Sequence, residues 1–129
     1  MATTTVRTST TFTEVYERTT HVYRATLKDE DDAVVPASAL SSLTLTLFAD
    51  REEDVLNSRS QQDVLNTNNV TLSSLGALVW IMQPADNAIL KTSRAYEMHV
   101  ARFEWTYASG TKYGKHEVRF NVKNLKKVP

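Results

Sequence analysis

A chain of 129 residues, 41% of them hydrophobic, is one domain with enough apolar material for its own core. It has no cysteine, which excludes disulfides, thiolate nucleophiles and cysteine-bound zinc. Fifteen basic and fifteen acidic side chains cancel, so no overall field favours nucleic acid, and no apolar run approaches the roughly 20 residues of a membrane helix.

Residues 1–11 read as an extended arm. Threonines at 3, 4, 5, 8, 10 and 11 carry β-propensity but offer almost nothing to bury, which predicts a segment disordered alone or laid along a neighbour. No hydrophobic segment of signal-peptide type stands at this end. Strand signals begin at Phe12, where Phe12, Glu14 and Tyr16 alternate with Thr13, Val15 and Glu17. The run from His21 to Leu27 repeats the alternation, with Tyr23, Ala25 and Leu27 on one face. An acidic turn from Lys28 to Ala33 follows. Leu43, Leu45 and Leu47 against Thr44 and Thr46 make the clearest strand, because a helix would scatter those leucines around its circumference.

From Ala49 to Ser74 the pattern weakens. Val55-Leu56-Asn57 suggests a short edge strand, Gln61 to Leu65 one helical turn, and Asn66-Thr67-Asn68-Asn69 a turn. A structureless loop of this length is unusual, so a short strand is expected near Val70-Thr71-Leu72. Ala77 to Met82 is apolar on both faces and reads as a central strand. Pro84 to Asn87 turns the chain. A long strand from Tyr96 to Tyr107 puts Ala101, Phe103, Trp105 and Tyr107 on one face. Ser109 to Gly114 reads as a hairpin loop with two glycines placed for positive φ. The last strand, His116 to Val122, alternates Val118, Phe120 and Val122 with Glu117, Arg119 and Asn121. Residues 126–129 are a tail, and Lys123, Lys126 and Lys127 make a small basic end that reads as solvated.

The tally is about seven antiparallel strands and no amphipathic helix, the pattern of an immunoglobulin-like β-sandwich over residues 12–125 with the arm before it. Chemistry is sparse. His21, His99 and His116 each sit in a strand; His99 and His116 fall on strands expected to pair, yet packed histidines are commoner there than metal ligands. Counted from Asp29, the sixth and twelfth positions of a calcium loop hold Val34 and Leu40 instead of glycine and glutamate, so Asp29 to Asp32 reads as a solvated acidic turn. There is no phosphate-binding glycine loop and no nucleophile elbow. Trp80 and Trp105 could stack a sugar, but core packing is the better reading for both. The expectation is a protein that is no enzyme and uses no cofactor or metal.

Several stretches resemble a family of small tailed-bacteriophage proteins: Leu43 to Phe48, Val64 to Thr71, Gln83 to Asn87, Glu97 to Phe103 and Gly114 to Leu125. The layout is similar to the immunoglobulin-like domain at the N-terminus of phage baseplate upper proteins, where a D-x-x-G turn follows the first strand. Here Asp32 stands at the glycine position of that turn. The resemblance implies a structural virion component (a head decoration, a neck or head–tail joining piece, or part of the tail) assembled in the bacterial host cytoplasm. Its partners would be other virion proteins or a second copy of the chain, with no nucleic acid and no membrane. Thr3, Thr4, Thr5, Val6, Thr8 and Thr10 would add as a strand to a neighbour. The rival reading is a module that binds a glycan or host surface, using Trp105, Tyr107 and Tyr113 near the last hairpin.

Overall fold

The computed structural model describes residues 3–28, 31, 33–51, 53–90, 93–107 and 112–125, with the backbone alone for 3–13. Eight strands form among the described residues: β1 (Thr3–Tyr16), β2 (Val22–Thr26), β3 (Leu40–Ala49), β4 (Gln62–Asp63), β5 (Val70–Leu72), β6 (Ala77–Ile81), β7 (Tyr96–Tyr107) and β8 (Lys112–Lys123). They make a five-stranded sheet, β1-β8-β7-β3-β4, and a three-stranded sheet, β2-β6-β5. The two pack face to face as a β-sandwich.

The core follows from the period-two pattern. Leu43, Leu45 and Leu47 of β3 stand opposite Trp105, Phe103 and Ala101 of β7. The same β7 residues stand opposite Gly114, His116 and Val118 of β8, so each row runs unbroken across three strands. From the other sheet come Tyr23, Val70, Leu72, Leu78 and Trp80. Trp80 joins the layers, its ring edge-on to Phe103 at 5.7 Å and to Phe120 at 6.2 Å. β6 is the central strand of its sheet, as its two apolar faces predict. Only one face is covered: Leu78 and Trp80 are fully buried, whereas Ile81 is 44% exposed.

The first strand departs from the expectation most. The boundary drawn at residue 11 does not exist in the fold, because β1 runs through it from Thr3 to Tyr16. It lies parallel to β8 at the edge of the chain's own sheet, from Thr3 opposite Lys112 to Tyr16 opposite Lys123. The sandwich is therefore not wholly antiparallel. Register shifts fall between Val6 and Ser9 and between Phe12 and Val15. At the second, Phe12 pairs with Phe120 and Val15 with Val122, so the extra residue carries the strand from one alternation to the other. Simple alternation grouped Tyr16 with Phe12; the bulge instead buries Val15 and leaves Tyr16 49% exposed.

Three local expectations are also corrected. Gln62–Asp63 is a two-residue strand on β3, not part of a helical turn, because its backbone takes the free edge beside Thr44 and Leu45. Val55 makes only an isolated bridge to Phe48. β8 begins at Lys112, so Gly114 sits inside a strand instead of a loop. Gly76, at φ +75°, is the positive-φ glycine among the described residues. Gly114 is there for space: a Cβ on it would lie 2.2 Å from Trp105 Cε2. Gly110 lies outside the described residues.

Candidate functional site

The residues expected to contact partners separate into three groups. Thr3, Thr4, Thr5, Val6, Thr8 and Thr10 are all in β1, the only long strand at a sheet edge among the described residues. Trp105 and Tyr107 belong to the inner face of β7 and are 2% and 7% exposed, so they are core residues and not a surface for a partner. Their alternation with Glu104 and Thr106 faces them toward the second sheet. Tyr113, the third aromatic, is 42% exposed on the outer side of β8.

Around Tyr113 the outer face of the five-stranded sheet is concave. A groove of about 500 Å³ is lined by Ser42 and Thr44 of β3, Glu104 and Thr106 of β7, and Tyr113 and Lys115 of β8, with Gln61 at the β4 side. Trp105 and Gly114, opposite each other in the register, complete it. Ser42 Oγ and Thr106 Oγ1 share a hydrogen bond of 2.7 Å. Lys115 Nζ lies 3.7 Å from Glu104 Oε2, so the two charges in the groove offset each other. Beyond it the same face carries a ladder of ion pairs: Arg102 to Glu117 at 3.1 Å, Glu117 to Arg119 at 3.1 Å and Arg119 to Asp50 at 3.0 Å.

Gln61 is placed by an anchor beneath it. Its own backbone is left-handed, φ 47°, and its N–H donates to Thr46 Oγ1 at 3.0 Å. Two residues earlier, Arg59 is 2% exposed and pairs with the fully buried Asp86: Nε donates to Oδ1 at 2.6 Å. The same guanidinium donates to Gln62 Oε1, Asn68 O and Asn69 Oδ1, and stands 5.9 Å from the Trp80 ring. Asp86 in turn accepts from Asn57 and from the Gln83 backbone N–H, capping the short 3-10 turn Pro84–Asn87. Seven of the eight non-glycine residues with positive φ among those described lie between Glu53 and Asn69. That many left-handed residues persist only where the surroundings over-determine them, and the buried ion pair supplies that constraint. Nothing in the local sequence marks Arg59 or Asp86 as buried. The one hint is the asparagine-rich stretch around residues 57–69, which tolerates left-handed backbone.

The histidines do not converge. His99 stands opposite Phe120 and His116 opposite Phe103, so four steps of β7 separate them, about 13 Å along the strand. His116 Nε2 hydrogen-bonds the Tyr23 hydroxyl across the two sheets, with the rings stacked. His99 Nε2 donates to Glu97 Oε1 at 2.8 Å, and Glu97 also accepts from the Leu90 backbone N–H. Burial lowers the His99 pKa and outweighs the opposing pull of Glu97 and Asp86, so the imidazole is neutral at pH 7. Among the described residues no three His, Asp or Glu side chains gather as a metal site. Asp29, Glu30 and Asp32 of the acidic turn lie outside those residues.

Comparison with protein-family models, with curated proteins and with solved structures finds no match.

Proposed function

We propose that the chain is a non-enzymatic structural protein of a tailed-phage particle, a head decoration, a head–tail joining piece or a tail component, acting through protein–protein contacts. The phage assignment rests on the sequence resemblance and on the immunoglobulin-like layout it implies. The observation that supports contact-making is β1. It is 14 residues long, lies at a sheet edge and, among the described residues, pairs with β8 alone. The opposite main-chain edge offers a row of donors and acceptors to another strand. The remaining sheet edges are β4, β2 and β5, of two, five and three residues. Natural sheets blunt long edges unless an edge is used. Its two bulges limit the continuous stretch on offer without removing it.

The partner is another virion protein or a second copy, received in the host cytoplasm as the particle assembles. Deleting residues 2–11 tests this. Incorporation of the variant into purified particles, counted by mass spectrometry, should fall sharply. Circular dichroism should still report a folded β protein, because the Thr-rich half of β1 brings little apolar material to the core. Full incorporation of the folded, truncated chain would sink the proposal.

A further inference from the structure

We infer that the groove on the outer face of the five-stranded sheet is a binding site for a short, uncharged saccharide. The inference is independent of β1 and rests on the chemistry of the lining. At about 500 Å³ the groove is within the roughly 300–1,000 Å³ range of small-ligand sites. Such sites are usually lined by apolar side chains. This one presents hydroxyls from Ser42, Thr44 and Thr106, an amide from Gln61, and a carboxylate beside an ammonium. These groups already bond one another in part, Ser42 with Thr106, Thr44 with the Glu104 carbonyl and Lys115 with Glu104, and a greasy ligand would strip water from their remaining capacity. A polyhydroxylated ligand would satisfy them.

The charge pattern narrows the class. Glu104 and Lys115 neutralise one another at 3.7 Å, so the groove holds no surplus cation for a phosphate, sulfate or uronate. The hydrogen bond between Ser42 and Thr106 uses one hydroxyl proton, leaving the second proton and free lone pairs for a ligand. Tyr113, 42% exposed, stands at one end with a ring face that can cover the C–H side of a pyranose. Gln61 stands at the other. From β8 to β4 is three strand spacings, about 14 Å, a span for a di- or trisaccharide.

Preorganisation is the second argument. Ser42, Thr44, Glu104, Thr106, Tyr113 and Lys115 project from strands, whose positions the sheet holds. Gln61 is the exception, and it is held in a left-handed conformation by Thr46 and by the buried Arg59–Asp86 anchor. A residue kept at positive φ at the mouth of a polar groove is the arrangement expected where a side chain must be aimed.

The experiment is an array of neutral and acidic oligosaccharides, read with wild type, Tyr113→Ala and Gln61→Gly, with affinities then measured for any hit. Gln61→Gly removes the amide and gives the positive-φ position the residue it suits, so this variant should melt within about 2 °C of wild type. Wild type should retain at least one neutral saccharide, and each variant should weaken it by about tenfold or more. Absence of wild-type binding at about 1 mM ligand would overturn the inference. So would equal binding by folded variants, or a preference for acidic saccharides.

Discussion

At the scale of single residues, the tightest constraint is the approach of Trp105 to Gly114. The indole fills the space a side chain would need, which explains a glycine in mid-strand despite its entropic cost. Gly114→Ala should therefore destabilise the fold by about 1–3 kcal/mol, the usual range for overpacking. Urea unfolding measures it, and Trp105→Leu in the same chain should recover part of the loss, as coupled neighbours do. His99 makes a prediction about pH. Its pKa is depressed in the folded state, so below the ordinary value of 6.5 the unfolded chain takes up the proton first. The contribution is complete above that pH and is lost as pH falls through the lower folded-state value. Stability measured from pH 8 to 5 should decline on the acid side, and His99→Gln should flatten that decline.

At the scale of elements, the segment between β3 and β5 depends on one buried pair. Asp86→Ala leaves the Arg59 guanidinium in the interior without its carboxylate, and breaking such a pair costs about 3–5 kcal/mol. Hydrogen exchange should localise the damage: amides of residues 59–69 should speed up well before those of β3 and β7. This segment is also where the local sequence pattern fails to announce the structure. β2, β3, β7 and the main part of β8 are legible because one face is buried, and burial writes period two into residues such as Leu43, Leu45 and Leu47, while β6 is legible as an unbroken apolar run. Between Ala49 and Asn69 the order comes from a long-range pair, Arg59 with Asp86, which has no local pattern. The bulge at Phe12–Val15 was hidden for a related reason, since one inserted residue breaks the alternation that reveals a strand. Of the groove residues, Thr44 is legible on a polar strand face, whereas Tyr113 and Gly114 read as hairpin loop and Gln61 as part of a helical turn. The groove's concavity is not legible, because it depends on how β3, β7, β8 and Gln61 meet.

For the molecule as a whole, the two sheets divide the work. The three-stranded layer completes the core through Trp80. The five-stranded layer carries the long edge at β1, the ion-pair ladder and the groove. The parallel pairing of β1 with β8 has a mechanical consequence. Thr3 lies beside Lys112 and Tyr16 beside Lys123, so the beginning of β1 and the end of β8 are at opposite ends of the paired strands. Tension between the two termini pulls β1 and β8 past each other along their axes. Every hydrogen bond between them is then loaded together in shear, whereas an antiparallel pair pulled from one end would unzip bond by bond. Single-molecule stretching from the termini should meet a high rupture force, and a chain lacking residues 2–11 should yield at a markedly lower one. The contact that places the first strand beside the last thus doubles as a clasp, which lets the domain carry load in line with the chain.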